Sequence, residues 1–333
     1  MKNQKIILYI IMAAILLTPV LTQAHVKWFT DVVPQKESIE NILSPLFMSL
    51  AIVAALVLSI LPQLLPRLMK IPYATKIDLK LDEYRKYSRY ILKYGTALAL
   101  IIQVFSGTIF APEFMLVGLW DTIAVWIAII LLCVPSHYAT KVGAGILTVL
   151  FFYVLSNVGL FHMLDYGFYL AIIFVLLIGK TRFENWGFPF LYLGTGLSLC
   201  WVAVEKWVYP SMAADIIQNH GVPTFGFDPT AFIVMAAFIE FIVGYLLVVG
   251  ILNRILSVIL TLIFISTTML FGITEIIGHF MIHIVLVIFI IEGVSFYYPP
   301  IRIHKTVIDQ MVFVFLNFLF VLATFILIYY RFA

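Results

Sequence analysis

The sequence predicts an all-α membrane protein, a polytopic bundle of about ten transmembrane helices. Of its 333 residues, 63% are hydrophobic and 11% are charged, whereas a soluble domain is typically about 45–50% apolar and about 25% charged. The apolar residues also form ten runs of spanning or near-spanning length, with Pro and Gly at their ends. This composition excludes a secreted disulfide scaffold, a disordered chain and a free cytosolic enzyme.

Residues 1–24 resemble a cleaved signal peptide, because Lys2 and Lys5 precede a dozen apolar residues and a small-residue cleavage site. A dozen apolar residues cannot cross a hydrocarbon core of about 30 Å. We expect the mature chain to begin at His25 and to continue as a short periplasmic tail, 25–43. The amino group and imidazole of His25 can chelate one metal ion together, copper above all. The alternative is that a histidine follows the signal peptide by chance.

The distribution of Lys and Arg predicts the orientation of the helices. The predicted spans are 44–66, 88–110, 115–134, 141–157, 164–179, 188–207, 230–250, 253–273, 276–293 and 310–330. With His25 outside, the loops after odd-numbered helices hold most of the basic residues, as the positive-inside rule requires of cytoplasmic loops. We therefore predict a bacterial inner membrane protein with both mature termini in the periplasm.

Two stretches of the chain resemble each other and predict an internal repeat. Residues 94–100 (YGTALAL) are similar to residues 193–199 (LGTGLSL). Helices and helix-breaking Pro and Gly residues follow both stretches in a similar order. This predicts two parallel four-helix units, a degenerate one at 88–187 and a second at 188–293. A first helix with a basic cytoplasmic loop (44–87) and a cytoplasmic loop with a last helix (294–333) flank the units. The alternative is chance similarity between Leu- and Ile-rich helices.

Charged residues inside the spans are candidate functional residues, because inserting one at the centre of a transmembrane helix costs about 2.5–3.5 kcal/mol of free energy. Glu240 lies midway along the seventh predicted helix, so it is either protonated or faces a partner or water inside the bundle. Glu205 and Lys206 end the sixth helix on the outer side. Their alternative is a lysine that reaches the interface beside a solvated glutamate.

The ninth predicted helix carries Glu275, His279 and His283 at intervals of four residues, which places them on one helix face. About 12 Å of rise separates the first from the last, so one metal ion cannot bind all three. Neighbouring pairs of these three residues are candidate metal ligands, and the remaining residue can orient a ligand or relay protons. Two alternatives stay open: buried histidines bonded to other helices, and a path for protons or quinone.

The second unit resembles a known family. A Gly-Thr-Gly-Leu sequence at 194–197 enters a helix that ends in Glu205-Lys206, Glu240 lies on the next helix, and Arg254 follows a tight turn. In these features residues 188–293 resemble the DoxX family of four-helix membrane proteins. The first unit resembles it weakly, and the sequence HVKWF that starts at His25 looks like a longer subgroup with a signal peptide.

The resemblance implies a component of a membrane redox or detoxification complex. It places Glu205, Lys206, Glu240 and Arg254 at family-typical positions, which makes them candidate catalytic residues. The first unit departs from the pattern because Ser106-Gly107 replaces Glu205-Lys206.

Three classes of function follow. The first is a redox component that faces the periplasm, is linked to quinone and acts with a partner protein. The second is a carrier or sensor of copper or another transition metal that uses His25, Glu275, His279 and His283. The third is a scaffold or small-molecule permease. The lipid bilayer is an expected partner, whereas no basic patch indicates nucleic acid.

Overall fold

The structure, a computed structural model, describes residues 26–68, 72–293 and 306–332. The predicted signal peptide and His25 lie outside the described residues. The described chain is helical apart from one two-stranded hairpin, which confirms the helical fold class.

The helices are, in chain order, α1 (Ile39–Ile42), α2 (Pro45–Leu68), α3 (Pro72–Asp82), α4 (Ser88–Phe105), α5 (Leu119–Cys133), α6 (His137–Val158), α7 (Leu160–Met163), α8 (Gly167–Ile178), α9 (Gly187–Val208), α10 (Pro210–His220), α11 (Pro229–Val249), α12 (Asn253–Phe271), α13 (Ile273–Glu292) and α14 (Val307–Phe332). Four short 3-10 turns accompany them, at Val26–Trp28, Arg85–Tyr87, Leu164–Tyr166 and Glu184–Trp186. Between α4 and α5, strand β1 (Thr108–Ile109) pairs antiparallel with β2 (Ala111–Met115).

Eight helical stretches among the described residues are long and apolar enough to cross a membrane, which fits a multi-pass membrane protein. They contain α2, α6, α8, α9, α11, α12, α13 and α14. The other two predicted spans are α4 and α5. Helix α5 has 15 residues and rises only about 22 Å, and α4 begins with Arg89 and Lys93. The count of ten spans therefore stays a prediction.

The second predicted span, 88–110, is too long because its last residues form the hairpin. Helix α4 ends at Phe105, and Gly107 follows with a φ of 73°. The side chain of Gln103 stabilises the hairpin inside the bundle: its oxygen accepts a hydrogen bond from the Phe110 N–H at 3.0 Å, and its nitrogen donates to the Tyr169 hydroxyl at 2.8 Å. The hairpin thereby folds back onto α13 and the N-terminal turn.

Eight helices form a closed ring. Helices α4, α5, α6, α8, α9, α11, α12 and α13 each contact the next, and α13 contacts α4. Helices α2 and α14 pack together outside the ring, against α11 and α9. This arrangement has the order expected of two consecutive four-helix units, whose equivalence as repeats stays a prediction. We name the two ends of the bundle after residues found there, the Lys27 end and the Arg254 end.

Helices α9 and α11 cross at two glycines. A Cβ atom on Gly196 would lie 2.5 Å from the carbonyl oxygen of Gly244, and one on Gly244 would lie 2.7 Å from that of Gly196. Only residues without a side chain allow this backbone contact. The crossing therefore holds α9 and α11 close together, and both helices carry charged candidate residues.

The N-terminal segment before α1 lies across the Lys27 end of the bundle. The Glu37 N–H donates to the Val208 carbonyl at 2.9 Å, and the Thr30 hydroxyl donates to Asp215 of α10 at 2.6 Å. These bonds position the turn Val26–Trp28 over the helix ends.

Candidate functional site

Lys206 and Glu240 form a buried ion pair between α9 and α11. The Lys206 Nζ lies 2.5 Å from Glu240 Oε2, and the side chains are 1% and 6% exposed. Because both groups are buried, the alternative in which Lys206 reaches the surface of the bundle is wrong. Glu240 has the partner inside the bundle that its position required.

Glu205, the neighbour of Lys206, meets a residue from the N-terminal turn. The Lys27 Nζ lies 2.8 Å from Glu205 Oε1 and 2.5 Å from Asp165 Oδ2, and both carboxylates are buried. Burial alone would lower the pKa of Lys27, but the charges of Asp165 and Glu205 raise it above its ordinary value of 10.5. The two ion pairs of Lys27 therefore join the N-terminal turn to the bundle.

The residues predicted on one face of α13 are only partly brought together. Glu275 contacts the imidazole of His279, and both are buried. The His279 ring stacks on Phe264 of α12, with centroids 4.5 Å apart and planes at 25°. His283, one turn further, meets the edge of the same Phe264 ring at 6.0 Å. Both histidines thus contact Phe264, whereas the described ion-pair contact with Glu275 is made by His279.

Trp28 covers this part of α13. Its ring centroid lies 5.0 Å from that of His279, and a Cβ atom on Gly278 would collide with the indole. The indole N–H also donates to the Tyr166 hydroxyl at 2.9 Å. The absence of a side chain at Gly278 therefore creates the space that Trp28 fills.

A cavity of about 30 Å³ lies between these groups. Its polar lining comprises Asp165, Thr195, Ser198, Glu240 and His279, and its aromatic lining comprises Trp28, Tyr166, Phe168 and Phe264. A water molecule needs roughly 10–15 Å³, so the cavity has room for about two. Asp165 Oδ1 and Thr195 Oγ1 are buried without a hydrogen-bond partner among the described residues, and water in the cavity can supply one.

A second polar group adjoins the cavity, and the sequence analysis missed its central residue, Glu113. The buried Tyr166 hydroxyl donates to Glu113 Oε1, and His162 Nε2 lies 3.0 Å from Glu113 Oε2. Burial raises the pKa of Glu113, but the bonds to His162 and Tyr166 and the charge of Lys27 lower it below its ordinary value. The signal in the sequence is a carboxylate inside a short apolar connection, directly after Pro112.

Arg254, the remaining predicted catalytic residue, lies at the opposite end of the bundle. Its guanidinium donates to the carbonyl oxygens of Ile290 and Ile291 at 2.8 and 3.0 Å and binds Asp78 of α3. Ile290 is eleven residues from His279, about 16 Å along α13. Arg254 therefore joins α3 to the last turn of α13 and contacts none of the cavity residues in the described contacts.

The described residues provide no group of three His, Cys, Asp or Glu side chains that is arranged to hold a metal ion. Of the predicted ligands, Glu275 and His279 touch, His283 is turned to Phe264, and His25 lies outside the described part of the chain. The metal site stays a prediction without geometric support.

Comparisons with known proteins add no relative. No protein-family model, no curated protein and no solved structure matches the chain. The resemblance to the DoxX family accordingly rests on the sequence features alone.

Proposed function

We propose that the protein is a membrane-embedded component of a redox system at the periplasmic side of a bacterial inner membrane, that it exchanges protons with a quinol and that it acts with a partner protein. In this proposal the Lys27 end faces outward, and the reaction site is the cavity beside Lys206 and Glu240. Oxidation of a quinol to a quinone releases two electrons, which in this proposal the redox-active partner protein accepts, and two protons, so the site needs groups that accept protons.

The observation that carries the proposal is the excess of buried negative charge around the cavity. Four carboxylates, of Asp165, Glu205, Glu240 and Glu275, accompany two lysines, Lys27 and Lys206. With all six groups ionised the charge is −2, and a protonated His279 leaves −1. A net charge is costly in a low-dielectric interior. The cluster therefore favours uptake of at least one further proton or cation.

The aromatic walls support a ring-shaped ligand. Phe264, Phe168 and Trp28 line the cavity beside His279 and Glu240, which puts flat apolar surfaces next to groups that exchange protons. An apolar cavity of about 150 Å³ binds benzene, so a quinol ring does not fit into the present volume of about 30 Å³. The proposal therefore requires a wider state of the cavity, in which Trp28 leaves its place on Gly278.

Binding of a short-chain quinone to the purified protein tests the proposal, with tryptophan fluorescence as the readout. We expect saturable quenching in the wild type. The chain has six tryptophans, so the quenching should be smaller in Trp28→Phe rather than absent. The double variant Lys206→Gln, Glu240→Gln removes both charges but keeps two groups that can hydrogen bond. It should weaken binding about tenfold or more, which corresponds to about 1.4 kcal/mol.

A matched control removes a charge pair at the other end of the bundle. The double variant Arg254→Gln, Asp78→Asn should bind the quinone as the wild type does, because its residues are remote from the cavity. Equal loss in both double variants, or quenching that never saturates, would contradict the proposal.

A small-molecule permease is the second candidate, and the closed ring of eight helices around a polar cavity favours it. Substrate flux into proteoliposomes without any electron donor distinguishes it from a redox component. The structure does not describe His25, so the metal-binding hypothesis at that residue needs a separate test. Elemental analysis of the purified protein tests that hypothesis directly.

A further inference from the structure

We propose that Tyr166, Glu113 and His162 form the route by which protons pass between the buried cavity and the surface at the Lys27 end. The route serves the proposed reaction site, because protons released by a quinol have to leave the cavity. It rests on a chain of contacts that is separate from the Lys206–Glu240 pair.

The three side chains connect the inside of the bundle with its surface. Tyr166 is 1% exposed and lines the cavity, whereas the side chains of Glu113 and His162 are 18% and 31% exposed. Tyr166 donates to one carboxylate oxygen of Glu113, and His162 lies 3.0 Å from the other. Each step is within the distance over which a proton is transferred.

Trp28 fixes the direction of the first bond. An indole N–H is a donor only, so the Tyr166 oxygen accepts from Trp28 and the Tyr166 hydrogen points to Glu113. A hydroxyl accepts up to two hydrogen bonds, which allows Tyr166 to accept from a cavity water as well. Without Trp28, the hydroxyl could rotate away from Glu113.

A proton moves outward in balanced steps. A hydronium or carboxylic acid in the cavity gives a proton to the Tyr166 oxygen while the phenol hydrogen passes to Glu113 Oε1. The neutral carboxyl group then rotates and gives the proton to neutral His162, whose imidazolium releases it to outside water. Tyr166 ends as a phenol and Glu113 as a carboxylate. The chain regains its initial state when the phenol hydrogen turns back to Glu113 and the His162 ring returns to its starting tautomer by proton exchange with outside water.

Lys27 offers a competing path, since it binds Asp165 and has a side chain that is 15% exposed. An ammonium group can relay a proton only after it has lost one, and both carboxylates oppose that loss. The pKa of Lys27 is raised accordingly. The other charged groups that face Glu113 and His162 are Lys27 and Asp165, and neither connects the Glu113–His162 pair to outside water.

The experiment follows the protonation of the cavity after a jump in external pH, with the protein in a lipid film and infrared absorption of protonated carboxyl groups as the signal. The absorption that is lost in Asp165→Asn, or in the double variant Lys206→Gln, Glu240→Gln, is assigned to the carboxyl groups of the cavity. We expect His162→Ala to slow its equilibration about tenfold or more, and added imidazole to restore the rate. Tyr166→Phe should slow it as much, without rescue, because its defect lies between the cavity and Glu113.

His220→Ala is the matched control, since His220 lies at the same end and its Nε2 is 3.1 Å from the Phe29 carbonyl oxygen rather than beside Glu113. It should equilibrate at the wild-type rate and not respond to imidazole. If His162→Ala disturbs folding, His162→Gln replaces it, and imidazole should not accelerate that variant because the space remains filled. A wild-type rate in both His162 variants would overturn the proposal.

This experiment needs no quinone. A slow, imidazole-rescued His162→Ala together with absent quinone binding would keep the proton route and refute the redox function. A wild-type equilibration rate in the His162 variants together with quinone binding would refute the proton route and keep the redox function.

Discussion

Lys206 and Glu240 depend on each other because both are buried and each neutralises the other. Lys206→Met leaves the Glu240 carboxylate without its cation, and we expect a loss of about 3–5 kcal/mol in the free energy of unfolding. The double variant Lys206→Met, Glu240→Leu removes both charges and should recover most of this loss. Reversible unfolding in detergent measures the free energy of unfolding of the wild type, the single variant and the double variant.

Lys80→Met is the control for this prediction, since Lys80 is an exposed residue of α3 and exposed charges contribute little. A loss in Lys206→Met no larger than in Lys80→Met would show that Glu240 is not held as an anion. A double variant as unstable as the single one would show that packing around the pair, rather than charge, determines stability.

At the scale of helices, the crossing of α9 and α11 is the contact most sensitive to an added side chain. Gly196→Ala places a methyl group 2.5 Å from the Gly244 carbonyl oxygen and 2.7 Å from a Val248 methyl carbon. The helices have to separate, and we expect a loss of about 1–3 kcal/mol. Gly145→Ala is the matched control, since a Cβ atom there meets nothing within 4 Å, and alanine favours a helix by up to about 1 kcal/mol.

Thermal unfolding of both variants in the same detergent checks this prediction. The melting temperature should fall for Gly196→Ala and stay the same or rise for Gly145→Ala. Separation of α9 from α11 also moves Lys206 relative to Glu240, so weaker quinone binding should accompany the lower stability. Unchanged stability in Gly196→Ala would mean that the crossing is looser than described.

At the scale of the whole molecule, the question is whether α4 and α5 cross the membrane. They meet at the hairpin, and Val117, two residues after its last strand, is 89% exposed. If both helices span, Val117→Cys, in a background without Cys133 and Cys200, should react with an impermeant thiol reagent from the same side as Asn219→Cys. Lys80→Cys should react from the opposite side.

A Val117→Cys that is protected from both sides would show that α4 and α5 enter the membrane without crossing it. The orientation of all other helices would then stay the same, because two spans are removed together. The labelling therefore distinguishes ten spans from eight without depending on the sidedness of the remaining loops.

The helices were predictable from the sequence because apolar length and breaker residues act locally. Most predicted ends lie within a few residues of the observed ones, as for α9, predicted at 188–207 and found at Gly187–Val208. The end of α4 was not predictable in this way, since the hairpin depends on the contact of Gln103 with Tyr169, a residue far along the chain.

The candidate site was predictable where a charge lies inside an apolar helix, as Glu240 does. It was not predictable where residues act through distant partners. In the sequence Lys27 is an ordinary tail residue, and only the structure places it beside Asp165 and Glu205. The signal of Glu113 is a carboxylate in a short apolar connection, which does not reveal its partners Tyr166 and His162 far along the chain. Arg254, chosen by resemblance, binds helix ends instead.

The separation of Lys27 and Trp28 from their partners along the chain has a consequence for biosynthesis. The ribosome makes these two residues first, and their partners Asp165 and Tyr166 follow 138 residues later. The growing chain therefore has to keep these two residues unattached until α7 to α13 have been made. Closure of the cavity is then a late event. Trp28 can cover the cavity only after the ribosome has translated the last of these helices.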